Sequence, residues 1–349
     1  MTEDAYAETV ATQADNYEFT IQALICLDAA IRYETQREPK GYVPGSHFLP
    51  GRRMTPMTSG GVANAAPVTP DIVIQMPDAM GMVGDVKLTA SSKRDFGQAE
   101  AQIARYDTDL AGWCTSDECG LAHDLLLLVH YANGAEAEEH FSRAHYGRAF
   151  ALVTVVRDLQ RHCFMTYELR LGRLSRDEMT RKLRKPLPVP LERLAAQHGR
   201  VKFYDARPEC VEYTMDVLWH EYFPQVVNAS EHRRVDRRNA TVTQRRVDVR
   251  SARECLQDAY STTQLVAPEN RHRQPETPQL DWVREAMEGF VEIGRAERDH
   301  EDEAVYWVTY SARARNTNAE GFARQLHRSR KKRRSASRTQ GQMSLPLDQ

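Results

Sequence analysis

The sequence predicts an α/β protein: a mixed central sheet flanked by helices, then a mainly α domain and a disordered basic tail. Three observations predict it. Helical and strand patterns alternate through residues 1–172. A segment with Pro186, Pro188 and Pro190 separates this part from one where helical periodicity prevails. The end of the chain, "RSRKKRRSASRTQGQ", has the composition of a disordered segment.

Residues 17–37 read as a helix, with Phe19, Ala23, Leu27, Ala30 and Ile31 on one face. Residues 41–67 are a long Gly/Pro/Ser/Thr/Met-rich connection. "DIVIQM" and "MVGDVKL" then form a hairpin around the turn "PDAMG". Residues 94–111 read as a helix that stacks Gln98, Gln102 and Tyr106 at spacings of four. "DLLLLVHY" is continuous enough in apolar residues to be a strand buried on both faces. "AFALVTVV" and "CFMTYELRL" make another hairpin. This mixture of elements implies helices packed on a mixed sheet.

A short charged helix and the proline-rich linker occupy 173–205, read as the domain boundary. In 206–312, "VEYTMDVLWHEYFP" and "PQLDWVREAMEGFVEIG" read as helices, with a further one near 243–259. Residues 226–250 lead into that helix as an arginine-rich loop, and 295–311 form a hairpin with the acidic tip "ERDHEDE". Three helices and a terminal hairpin are the order of a winged-helix module. Trp219, Trp282 and Trp307 are expected in its core. Residues 313–349 are the disordered basic tail.

The net charge of −2 hides an asymmetry. Between Arg313 and Arg338 the chain carries ten Arg or Lys and one acid, so residues 1–312 hold about −10. An acidic body with a basic tail points to a polyanionic partner; a tail that only solubilises is compatible with the same pattern. The start of the chain lacks the basic and apolar regions of a signal peptide. No apolar run reaches the roughly 18 residues of a membrane span. The expectation is a cytoplasmic protein with no membrane partner. The six scattered cysteines read as free thiols. Cys114, Cys119 and His123 have the wrong spacing for a zinc ribbon and read as part of a loop.

The chemistry concentrates in the first hairpin. Asp71 opens one strand, and Asp85 and Lys87 project from the same face of the other. Two carboxylates that converge repel each other unless a cation lies between them. All-oxygen ligation suits Mg²⁺ or Mn²⁺, which polarises a phosphate and acidifies a bound water. A lysine beside them neutralises charge that develops on phosphorus. The simpler reading is a strand cap and a surface ion pair.

Pro70-Asp71, thirteen intervening residues and Asp85-Val86-Lys87 resemble the PD-(D/E)xK nuclease motif. Gln102 to Tyr106 is similar to the QxxxY motif of the RecB-type branch. The resemblance covers about residues 15–172 and implies a restriction-endonuclease-like αβββαβ core. It implies Asp71, Asp85 and the Val86 carbonyl as metal ligands and Lys87 as catalytic. Gln102 and Tyr106 would contact DNA or orient the lysine. Glu18, with Glu34 behind it, is the candidate for an acid from the first helix. The long 41–67 connection departs from the pattern, and the absent cysteine cluster speaks against an iron–sulfur cofactor.

Outside this core, Arg233, Arg234, Arg237, Arg238, Arg245 and Arg246 either grip phosphates or line a solvated loop. Lys331, Lys332, Arg333 and Arg334 would add nonspecific nucleic-acid contacts. The expected function is a Mg²⁺-dependent deoxyribonuclease in defence against mobile DNA or in repair. DNA would be its partner, and other proteins of a complex would dock on the winged-helix module. The alternative is a catalytically silent nucleic-acid-binding or scaffold protein of such a complex. A transcriptional regulator is a third reading, and it leaves the first domain unexplained.

Overall fold

The computed structural model describes residues 1–32, 47–57, 66–76, 80–113, 121–158, 164–191, 201–226, 231–237, 240–266, 271, 275–310 and 317–343. Two compact units divide the chain, and each is discontinuous. One contains Glu18–Ala206 and Ala259–Thr277, here the sheet unit. The other gathers Met1–Tyr17, Arg207–Asp258 and Pro278–Gln349, here the terminal unit. The expected boundary at 173–205 is therefore corrected. No helix among the described residues is long and apolar enough to cross a membrane.

Helix α1 (Glu3–Arg32) begins well before the expected start. Its residues from Glu18 onward belong to the sheet unit, where Ala23, Leu24 and Leu27 are buried. The Tyr167 hydroxyl donates to the Ala23 carbonyl there at 2.6 Å. The next strands are β1 (His47–Phe48), β2 (Thr55–Met57), β3 (Ile72–Gln75) and β4 (Met80–Lys87). Helix α2 (Lys93–Tyr106) is fixed at its start by a capping box between Ser92 and Asp95. Such reciprocal bonds satisfy amides that a helix start leaves orphaned. The helix stops at Tyr106, before its expected end, and Asp109–Ala111 instead form strand β5, which pairs with β2.

β6 (Ala122–His130), helix α3 (Gly134–Phe141), β7 (Phe150–Asp158), β8 (Phe164–Gly172), helix α4 (Asp177–Leu183) and β9 (Leu187–Pro190) complete the unit. The seven-stranded sheet has the order β1-β3-β4-β6-β7-β8-β9. Only the β4–β6 and β6–β7 pairs are parallel, and α2 and α3 make those two crossovers. The expected mixed sheet with flanking helices is present. The central β6 is apolar because both of its faces are covered: Leu125 to Val129 are fully buried. The proline-rich segment is no linker. Leu187–Pro190 pairs antiparallel with β8 at the end of the sheet, a place where prolines cost no ladder bonds on the open side.

On the α2 side, Phe96, Ala99, Ile103 and Tyr106 pack with Val73, Val83, Leu125, Leu127 and Val129. Gly84 is required in the middle of this sheet. A Cβ there would lie 2.0 Å from the Leu126 carbonyl oxygen.

The terminal unit is not mainly helical. Helix α5 (Val211–Val217) passes through a π-helical turn, Leu218–Tyr222, into α6 (Phe223–Val226). The arginine-rich segment then forms β10 (His232–Arg237) and β11 (Ala240–Asp248), an antiparallel hairpin and not a loop running into a helix. Helix α7 (Val249–Tyr260), helix α8 (Leu280–Glu292), β12 (Ala296–Arg298) and β13 (Val305–Val308) follow. The order β10-β11-β13-β12 makes a four-stranded antiparallel sheet. The acidic hairpin was expected; its place in a larger sheet was not, so the three-helix winged order does not describe this unit.

The basic tail is also corrected. Ala319–Met343 form helix α9, whose Ala319, Phe322, Ala323 and Leu326 are buried. Phe322 lies edge-on to Trp219 and to Phe290, with ring centroids 5.8 and 5.4 Å away. A four-residue apolar stripe at helical spacing is enough to dock a helix whose average composition is polar.

Candidate functional site

Register builds the site. The last β3–β4 pair is Ile72 with Gly84, so β4 runs on past the start of β3. Along that extension Asp85, Val86 and Lys87 pair only with Leu127, Leu128 and Val129 of β6. Asp71, just before β3, takes over the missing partner: its Oδ2 accepts the Val86 N–H at 2.8 Å. In an extended strand the carbonyl of a residue points to the same edge as its N–H. The Val86 carbonyl is thus directed toward the Asp71 side of the strand. The two predicted acids also meet through the Asp71 N–H, which lies 3.4 Å from Asp85 Oδ1.

Asp85 is fully buried on the face of β4 that α2 covers. Its Oδ1 accepts the Tyr106 hydroxyl at 3.0 Å. Its Oδ2 has no hydrogen-bond partner, although the Lys87 ammonium lies 3.4 Å away. Asp124, buried at the start of the neighbouring β6, shows what a structural carboxylate looks like. Both of its oxygens are used, by the Ser175 hydroxyl at 2.6 Å and the Ser175 N–H at 2.9 Å. A buried carboxylate oxygen left without a donor is costly, and Asp85 carries one where Asp124 does not.

The electrostatics agree with crowded negative charge. Burial raises the Asp71 carboxyl well above the usual range, and Asp85 and Asp205 push it the same way against Lys87 and the Val86 amide. Asp205 is raised to about 7, by burial first and then by Asp85. Tyr106 is held protonated: burial, then Asp85 and Asp71, raise its hydroxyl. That suits a donor to a carboxylate. Gln102 in turn hydrogen-bonds to Tyr106. The Tyr106 carbonyl is itself fixed 2.9 Å from His123 Nε2.

The predicted residues therefore divide. Asp71, Asp85, Lys87, Gln102 and Tyr106 come together. Tyr106 is 1 % exposed, so it orients Asp85 from inside and presents no face to a nucleic acid. Glu18 is spent elsewhere, 3.0 Å from the Lys202 ammonium. Glu34, Arg238, Cys114 and Cys119 lie outside the described residues. The sequence reading missed Asp205; its only local signal is the strand-like "VKFY" just before it.

The remaining cations belong to the terminal unit. Arg233 stacks over Trp307 at 4.4 Å and pairs with Glu297 and Gln244 at 2.9 and 2.8 Å. Arg246 lies 3.9 Å from Glu231, and Arg245 is half-buried. Arg234, Lys331, Lys332, Arg333 and Arg334 are exposed, and Arg237 belongs to β10.

The donor set fits a hard divalent cation: carboxylates, a strand-edge carbonyl and one orphaned buried oxygen. Among the described residues no three His, Cys, Asp or Glu side chains close around a point as a metal cage. Mg²⁺ asks for less, since one or two carboxylates plus waters and substrate phosphate hold it. No protein-family profile, curated protein or solved structure matches the chain.

Proposed function

We propose that the chain is a metal-dependent nuclease of the PD-(D/E)xK type that hydrolyses DNA phosphodiester bonds. The observation that carries this reading is Asp85, fully buried with Oδ2 unpartnered, locked by Tyr106 and flanked by Asp71 and Lys87. The order α1, β3–β4 hairpin, α2, parallel β6 supports the same reading, since it follows the core of that superfamily.

Asp71, Asp85 and the Val86 carbonyl would hold Mg²⁺. When bound, such an ion polarises the phosphate and acidifies a water. Lys87, whose side chain is 28 % exposed, reaches the cleft from the same strand face and sets its ammonium against charge that builds on phosphorus. The Tyr106 hydroxyl keeps Asp85 in one rotamer, and Gln102 keeps the hydroxyl directed. The exposed cations of α9 supply sequence-independent phosphate contacts.

Supercoiled and linear DNA incubated with Mg²⁺ or Mn²⁺ test this. Wild-type protein is expected to cut, and Asp85→Asn and Lys87→Ala to cut about 10²–10³-fold more slowly, as loss of one electrostatic stabiliser does. DNA binding without cleavage under either metal would instead support a silent binding or scaffold protein.

A further inference from the structure

The site as read from the motif has one acid too few for its surroundings. Glu18 on α1 is held by Lys202. The chain segment that carries Lys202 delivers a different carboxylate three residues later.

That segment is firmly placed. The Lys202 and Phe203 amides donate to the Tyr260 carbonyl at 2.6 and 2.9 Å, and the Thr262 amide donates to the Phe203 carbonyl at 2.8 Å. Phe203 is fully buried. Asp205 then meets the turn after β1. In the β1–β3 register His47 faces Gln75 and Phe48 faces Ile74, and the Leu49 amide bonds the Val73 carbonyl at 2.8 Å. Continued, that register sets Gly51 level with Asp71. Gly51 has a φ of +65°, and a Cβ on it would lie 2.3 Å from Asp205 Cβ and 2.5 Å from Cγ. The glycine both permits the turn and leaves room for Asp205 beside Asp71.

The Asp205 carboxylate accepts the N–H groups of Asp205 and Ala206. Its Oδ1 is shielded from solvent without a hydrogen-bond partner, as is Asp85 Oδ2. Two orphaned carboxylate oxygens in one neighbourhood are not explained by folding, because each one costs stability. A cation explains both.

We infer that Asp205 is a third acidic member of this cleft and contributes to holding a divalent cation there. The inference rests on the nuclease reading for the chemistry of the site, but its test needs no nucleic acid. The full chain is titrated calorimetrically with Mn²⁺, alongside Asp205→Asn and Asp85→Asn. Asp205→Asn is expected to weaken Mn²⁺ binding about 10–100-fold, the usual cost of losing a supporting group around a metal. Gly51→Ala is expected to weaken it too, because its Cβ displaces Asp205 while every carboxylate stays in the chain. The rise in unfolding temperature on adding Mn²⁺ gives a second readout, expected to shrink in each variant. If Asp85→Asn loses Mn²⁺ while Asp205→Asn and Gly51→Ala bind as wild type does, Asp205 is structural and the nuclease reading stands. If wild-type protein binds no Mn²⁺, both fall.

Discussion

The two units treat charge in opposite ways. In the sheet unit, Asp71, Asp85 and Asp205 crowd together, and burial and mutual repulsion raise Asp71 and Asp205. In the terminal unit, cations and acids pair off at the surface: Arg233 with Glu297, Arg298 with Glu288, Arg328 with Glu3, Arg330 with Glu292. Opposite charges at the surface settle locally and cost little. Like charges in the interior are maintained only where something outside the chain rewards them. The arginine-rich hairpin draws attention in the sequence, yet the structure neutralises much of it. The acids that stand out in the structure are sparse in the sequence.

The contrast can be broken first where the terminal unit depends on its last helix. Phe322→Ala removes a buried ring from beside Trp219 and is expected to cost about 3–5 kcal/mol. Denaturant unfolding followed by tryptophan fluorescence reads this, and a disordered tail would show no change. A smaller effect is expected in the sheet unit. Tyr106→Phe takes the donor from Asp85 Oδ1 and should lower kcat about tenfold with KM unchanged, since a hydrogen bond to a charged group contributes about 1.5–3 kcal/mol. A raised KM would mean that the hydroxyl touches substrate. The smallest belongs to the surface pairs: Arg233→Ala should destabilise by about 1 kcal/mol or less in thermal unfolding. A larger loss would show that the stacked, bidentate arginine is a true structural element.

Much of the site was legible because it is local. Asp85 and Lys87 share a strand face by a spacing of two, and Gln102 and Tyr106 share a helix face by a spacing of four. Both periodicities are backbone geometry, and the structure brings all four residues together. Asp205 was illegible for the complementary reason: it reaches Asp71 through the turn at Gly51 and the pinning of Phe203 by Tyr260 and Thr262, contacts between distant parts of the chain. Glu18 was misassigned because its neighbour on the helix is readable and its partner Lys202 is not.

The same division runs through the fold. Apolar continuity determined β6, alternation determined the first hairpin, and the Ser92–Asp95 box set the start of α2. Tertiary structure alone decided that Leu187–Pro190 is a strand, that the arginine-rich segment pairs with β13, and that α9 docks on Trp219. In each of these the local composition was unfavourable or ambiguous: prolines, repeated charges, a thin apolar stripe. A sheet edge, a neighbouring strand and a hydrophobic core supplied the stabilisation that local propensity lacked.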